Sequence, residues 1–573
     1  MKLQTLILPD TEADTELYYR GSAALNGGET LSFDTYYNSF SYTKYRAYTP
    51  IREVCFSCAF SGVARVELCV FDGRETVLCG IEAEGEATLT AELSSLPMLG
   101  FLYARITALT DCVFINGEYG AECEPNPVNV CVAICTYKRE QYVRRNIELL
   151  RGFRFSSINR VFVIDNGNSL PESRLSDPLI RIVPNKNYGG SGGFTRGLIE
   201  AVDGGFSHVI FMDDDVEFYP EVLERMTVFL SLLCDQYAKS WISASMFPMH
   251  KRWEQHECGS EWDGKMISHK ARADMRKREM LLDNLDNPGV GCGGWWTLCM
   301  PVSVTENGLP FPFFIKFDDV EYGLRKPPET EIITMNGVGI YHEAFDRKIS
   351  FVIDYYHLRN ELVMNAAHNR SNTVDALKRF WHEILKQLFL YRYDNCVIVI
   401  KAIDDFLGGV DFFLKTDEEE LNRELIQKAI KLIPLRQIDE WSEELRNDAH
   451  KKDKRITVPM ALTAGGHFIP SYLLQKEVAA FPLSAISARD VFGKKAVVQY
   501  QLGGDVGVVT QRSFFKLIKY TFMGIGASFR LLHGYSGASK SYLSRRAEIT
   551  SFGFWRKHLG LSDEAKDDSP DHI

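Results

Sequence analysis

Three consecutive carboxylates, Asp213-Asp214-Asp215, stand at the end of the apolar run in HVIFMDDDVEF. Adjacent carboxylates repel one another and cost stability unless a cation or hydrogen bonds compensate. A hard divalent ion suits them, and Mg²⁺ or Mn²⁺ would keep positions open for phosphate oxygens. The plainer alternative is a solvated acidic turn, but the strand in front aims the triplet into a cleft. A second pair, Asp318-Asp319, follows FPFFI in KFDDVEY. One carboxylate there could deprotonate an acceptor hydroxyl and the other bind acceptor hydroxyls. An acidic helix N-terminus, favoured by the macrodipole, accounts for the same residues. A lone histidine is more often structural than a ligand. His342, in GIYHEAFDRK, gains weight because the carboxylate site lacks a nitrogen donor; His357, in YYHLRNE, is a weaker candidate.

Two further motifs bear on ligand approach. The run Asn187-Tyr188-Gly189-Gly190-Ser191-Gly192-Gly193 permits positive φ and close backbone approach to a ligand. It lacks the Gly-Lys-Ser/Thr of a P-loop and is a poor GxGxxG, so it reads as a substrate-proximal loop, with a plain turn as the alternative. Gly293-Gly294-Trp295-Trp296 could stack on a sugar or shape an acceptor channel. On a strand the two tryptophans would face opposite sides, and one would be core.

These residues need elements to position them. From residue 125, after Pro125 and Pro127, apolar strand runs alternate with helical stretches: VNVCVAICTYKRE, EQYVRRNIELLRGF, NRVFVIDNGNS. That rhythm predicts an α/β domain over 125–349 with a mainly parallel sheet, its functional loops at the strands' carboxyl ends. Residues 1–124 alternate apolar and polar positions between turns, predicting a β-sandwich that binds or assembles rather than catalyses. From about residue 350 the periodicity is helical. Between Arg512 and Lys557 nine Lys/Arg face one acid, Glu548, among aromatics that include Phe514, Phe515, Tyr520, Phe522, Phe529, Phe552, Phe554 and Trp555. Such a segment suits an anionic membrane surface, or a core face or subunit contact. The final DEAKDDSPDHI reads as a disordered tail.

Composition narrows the classes. A chain of 573 residues suggests about three or four domains. Net charge −11 argues against a nucleic-acid binder. The opening MKLQTLILPDTEADTELYYRG lacks signal-peptide blocks, and no run of about 18 uncharged apolar residues marks a membrane span, so a cytoplasmic protein is expected. Thirteen scattered cysteines with a single CxxC, Cys55 to Cys58, read as ordinary buried thiols.

CTYKR, IDNG, NYGGSGG, MDDD, GGWW, FDDVEYGLR and YHEAFDRK occur in the order seen in family 2 glycosyltransferases. The set resembles the polymerising galactofuranosyltransferases of mycobacterial galactan synthesis, most clearly over residues 128–360. The resemblance implies a GT-A (Rossmann-like) catalytic domain between a β-sandwich and a helical C-terminal region. It implies that Asp213 and Asp215 bind the metal and donor diphosphate region, with His342 completing the coordination. Asp319 becomes the general base, with Asp318 beside it. Thr136, Arg139 and Asp165 hold a nucleotide, uridine by preference; Asn187, Gly189, Gly190 and Asp214 lie in the nucleotide-sugar site. Trp295 and Trp296 line the acceptor site, and His357 and Glu257 make further contacts. The activity implied is inverting, Mn²⁺- or Mg²⁺-dependent transfer of galactofuranose from UDP-galactofuranose to a glycan or polyprenyl-linked glycan. A homo-oligomer, a tetramer among the options, peripheral to the inner face of the plasma membrane, is also implied.

Other readings stay open at this stage. A rhamnosyltransferase of the same family would share the metal site. A nucleotidyltransferase would place a glycine-rich, Lys/Arg-containing loop at the domain start, whereas this run comes after two strands. A non-catalytic carbohydrate-binding protein leaves the two acidic motifs and His342 unexplained.

Overall fold

A computed structural model describes residues 1–9, 15–286, 289–453 and 455–561. The tail expected to be disordered lies outside the described residues. The chain divides into two compact units: Met1–Leu309 with Asp319–His342 and Leu559–Ile573, and Pro310–Asp318 with Glu343–His558. The segment 310–318 is thus inserted from the helical unit into the α/β sequence.

In the first unit, residues 1–120 form a seven-stranded sheet. Its long strand Glu53–Phe71 pairs along its length with Glu75–Glu92. On its other edge it pairs first with Cys112–Gly120 and then with Phe101–Ala108. The sheet is thus continuous in hydrogen bonding, with a change of partner along this one strand. Phe40, Phe56 and Tyr119 pack in its core at 4.9–5.0 Å ring separations.

The second sheet has the order Ile180–Pro184, Ile158–Asp165, Val130–Thr136, His208–Asp213, Thr297–Pro301, Trp241–Ser243, Ile332–Ile333. The first four strands are parallel, and Thr297–Pro301 runs antiparallel to both neighbours. Val130–Thr136 and His208–Asp213 lie side by side where the strand order reverses, the place where open α/β sheets bind ligands beyond their carboxyl ends. Both strands are almost wholly buried, as strands covered on two faces must be.

The glycine run is not a loop. Gly189 opens the helix Gly189–Asp203. A Cβ on Gly193 would stand 2.1 Å from the Cys135 Sγ, and one on Gly197 would stand 2.5 Å from the Ala133 Cβ. The glycines therefore let the helix lie close on Val130–Thr136.

The helical unit contains the helices Ile353–Ala367, Thr373–Phe389, Cys396–Leu407 and Phe514–Thr550. It also holds a four-stranded sheet of Ile433–Pro434, Val506–Gln511, Ala496–Tyr500 and Ala479–Pro482, which the helical periodicity did not predict. All thirteen cysteines are free thiols. Among the described residues, no helix is long and apolar enough to cross a membrane.

Candidate active site

Strand His208–Asp213 ends on the first residue of the acidic triplet, and the three aspartates then part company. Asp214, 5% exposed, turns inward. Its carboxylate accepts hydrogen bonds from Thr136 Oγ1 at 2.7 Å and Arg139 Nη1 at 3.1 Å. Its carbonyl accepts from Asn146 Nδ2 at 2.9 Å. Burial outweighs these partners and lifts its pKa to about 6. Arg139 Nη1 also donates to Asp215 Oδ2 at 2.7 Å.

Asp213 and Asp215 meet His342 instead. Its Nε2 lies 3.5 Å from Asp213 Oδ2 and 3.1 Å from Asp215 Oδ1. Donor atoms of all three fall within 4.8 Å of one another. Burial disfavours the charged ring, but hydrogen bonds to the two aspartates prevail and raise its pKa to about 9. Two carboxylates and one imidazole, converging at a strand end with Asp213 partly exposed, form a donor set that fits a divalent metal ion with open positions.

The second carboxylate motif begins the helix Asp318–Leu324. Asp319 is half-buried, and its negative charge reaches Glu257. Glu257 is 6% exposed and accepts a hydrogen bond from Ser268 Oγ at 2.6 Å. Burial, reinforced by Asp319, pushes its pKa to about 7. A Cβ on Gly323 would stand 2.7 Å from the Cys292 Cβ, so glycine allows this helix to lie against residues 291–292. Glu321 and Arg325 pair at 2.9 Å, and Arg325 donates to the Asn307 and Leu309 carbonyls, which anchors the helix.

The loop entering this helix carries backbone strain. Phe314, Lys316 and Phe317 have φ of 67°, 73° and 69°. Non-glycine residues in this region cost on the order of 1–3 kcal/mol each. Within the helical unit, Asn360 Nδ2 donates to the Phe313, Ile315 and Lys316 carbonyls at 2.9–3.2 Å. Arg359 Nη2 adds a bond to the Phe313 carbonyl at 2.9 Å.

Residues 131–294 match the family described as Glycosyl transferase family 2. The chain is a glycosyltransferase, and over these residues it is similar to family 2. Residues 3–122 match the family described as Galactofuranosyltransferase 2 N-terminal. Two curated relatives are galactofuranosyltransferases GlfT2. That of Mycolicibacterium smegmatis is 28% identical over 434 residues, covering 68% of this chain and 66% of the relative. That of Mycobacterium tuberculosis is 25% identical over 508 residues, covering 81% and 78%. A solved mannosyltransferase from Pyrobaculum calidifontis, in complex with GDP-Man and Mn²⁺, superimposes with a TM-score of 0.30 at 13% identity, covering 49% of this chain and 77% of that one.

Other residues singled out in the sequence take varied places in the glycosyltransferase. The Asp165 carboxylate accepts the Gly167, Ser169 and Leu170 amides at 2.6–3.0 Å, holding the turn after its strand. Asn187 Oδ1 accepts from the Gly189 amide at 3.1 Å. Gly190 lies in the first turn of the helix. Trp295 packs edge-on against Phe211, Phe194 and Tyr322, with ring centroids 5.0–5.9 Å apart. Trp296 donates from Nε1 to the Ala244 carbonyl at 3.1 Å. Both indoles are buried. His357 belongs to the helical unit, where it meets Phe317 at 4.9 Å and Arg379 Nη2 at 3.1 Å. Asn146 was not foreseen as a site residue. Its signal is a buried amide among Val143, Ile147 and Leu150 on an otherwise amphipathic helix.

Proposed function

We propose that the protein transfers galactofuranose from UDP-galactofuranose to a glycan or lipid-linked glycan acceptor in cell-surface polysaccharide synthesis. The reaction is a single displacement that inverts the anomeric centre. The observation that carries this reading is the convergence of Asp213, Asp215 and His342 at the reversal point of the sheet. The names of the two relatives and of the N-terminal family support the choice of donor.

Asp213, Asp215 and His342 would hold Mn²⁺ or Mg²⁺, which when bound neutralises the departing diphosphate. Thr136 and Arg139, already turned toward the triplet, border the nucleotide. Asp319 takes the proton of an acceptor hydroxyl. That oxygen bonds to the anomeric carbon as the bond from this carbon to the diphosphate oxygen breaks, and the electron pair leaves with UDP. No second, nucleophilic carboxylate is needed. Glu257, its pKa pushed to about 7 by burial, is about half protonated near neutrality, and the protonated form can donate a hydrogen bond to an acceptor hydroxyl. Holding both substrates in line supplies much of the rate.

The test is nucleoside diphosphate release from a panel of UDP- and dTDP-sugars with Mn²⁺ and a galactofuranoside acceptor, beside the Asp319→Asn variant. Release from UDP-galactofuranose alone, lost in the variant, is expected. Release from a dTDP-rhamnose donor instead would replace the sugar and keep the site.

We also propose that the helix Phe514–Thr550 rests on an anionic membrane surface. Phe515, Phe522 and Phe529 recur every seven residues and are 84%, 69% and 58% exposed. Lys516, Lys519 and Arg530 flank them, and Glu548 is the helix's single acid.

A further inference from the structure

The last strand of the candidate metal site is short and thinly supported by its own sheet. Gly339–His342 has four residues and pairs with one strand, Ser245–Pro248. Glu217 bridges to Tyr341 through two backbone bonds of 2.8 Å. Strands this short hold a ligand only where other contacts fix them.

Three tyrosines of the N-terminal sheet region supply such contacts. Tyr36 Oη donates to the Val338 carbonyl at 3.0 Å, and Tyr37 Oη donates to the Gly339 carbonyl at 3.3 Å. Tyr18 Oη and Tyr341 Oη lie 2.8 Å apart. All three tyrosines are at most 2% exposed. Buried phenols need a hydrogen-bond partner, and these find theirs within residues 338–341. The fit is close: a Cβ on Gly339 would stand 2.8 Å from Tyr36 Oη. Tyr18 also stacks on Tyr37 at 4.6 Å, joining the three into one block. Arg225 fastens that block from below. Its guanidinium donates to the Tyr37, Gly337 and Thr5 carbonyls at 2.5–2.9 Å.

We propose that Tyr18, Tyr36 and Tyr37 are positioning residues for His342, so that the N-terminal region completes the metal site from a distance. The hydroxyls grip the backbone of 338–339 and the side chain of Tyr341, the residue before His342. The imidazole thereby meets Asp213 and Asp215 at one fixed geometry. This gives the N-terminal region a role in the reaction without any catalytic group of its own. The inference rests on the reading of Asp213, Asp215 and His342 as metal ligands.

The test is Mn²⁺ affinity, read by paramagnetic titration of the full-length protein with the metal alone. The Tyr36→Phe/Tyr37→Phe double variant keeps both rings and removes the two hydroxyls. About tenfold weaker binding is expected, in the range produced by losing groups that orient a ligand. Tyr119→Phe, in the same sheet beside Phe40 and Phe56, should bind as the unsubstituted protein does. His342→Ala should bind far more weakly. If His342→Ala loses affinity and the double variant does not, the positioning role falls and the metal site stands. If Tyr119→Phe weakens binding equally, general loosening explains the effect and the positioning role again falls. If His342→Ala binds normally, both fall together. Tyr18→Phe, which removes the hydroxyl that meets Tyr341 and Tyr219, should give a smaller loss of the same sign.

Discussion

Glu257 shows how burial sets chemistry at a single residue. Its folded pKa of about 7 lies above the ordinary 4.5, so the native state holds the proton more tightly than the unfolded chain. The contribution to stability is therefore greatest below pH 4.5 and lost as pH rises toward 7. Above that, ionisation penalises the fold by roughly 3 kcal/mol. Glu257→Gln, which cannot ionise, should raise the thermal midpoint relative to the unsubstituted protein at pH 8 and leave it near parity at pH 4. An equal change at both pH values would contradict the assignment. The acidic triplet was legible from its strand-end position; the grouping of Asp213 and Asp215 with His342 came only from the family resemblance. The inward turn of Asp214 was not legible. That Asp214 turns inward to Thr136, Arg139 and Asn146 depends on side chains 68 to 78 residues away, which spacing along the chain cannot report.

Among the elements, the strands were easier to read than the helix beside them. Val130–Thr136, Val161–Ile164 within Ile158–Asp165, and Val209–Met212 within His208–Asp213 are apolar runs, and their burial explains why. The glycine run read as a loop because glycine is a poor helix former. Tertiary packing overrides that preference: only glycine fits where the helix lies on Cys135 and Ala133. Gly193→Val should therefore destabilise the protein by about 1–3 kcal/mol or more, since an overpacked contact must push helix and strand apart. A urea midpoint equal to the unsubstituted protein's would show that the contact is looser than the geometry states. The C-terminal sheet escaped notice because its strands are two to six residues long and lie between helical segments. The partner change along Glu53–Phe71 escaped because it joins residues 30 to 65 apart. In 310–318, nothing in FPFFIKFD announces three left-handed residues; Asn360 and Arg359, which hold them, come over 40 residues later.

At the scale of the molecule, the first unit joins an N-terminal sheet to the α/β domain, and the second is helical with its own small sheet. The surface of the Phe514–Thr550 helix carries a prediction of its own. Phe522→Asp should abolish sedimentation with phosphatidylglycerol vesicles while leaving nucleoside diphosphate release from soluble substrates intact. Equal binding to neutral phosphatidylcholine vesicles would remove the electrostatic part of that account, and no binding to either would remove all of it. The central claim is a metal-dependent single displacement with Asp319 as base. Its most direct test is the anomeric configuration of the product formed from UDP-galactofuranose and a synthetic galactofuranoside, followed by NMR with Mn²⁺, with a chelator, and with Asp319→Asn. The account predicts a product inverted relative to the donor, formed only with the metal and lost in the variant. A product of retained configuration, or one formed equally well under chelation, would contradict it.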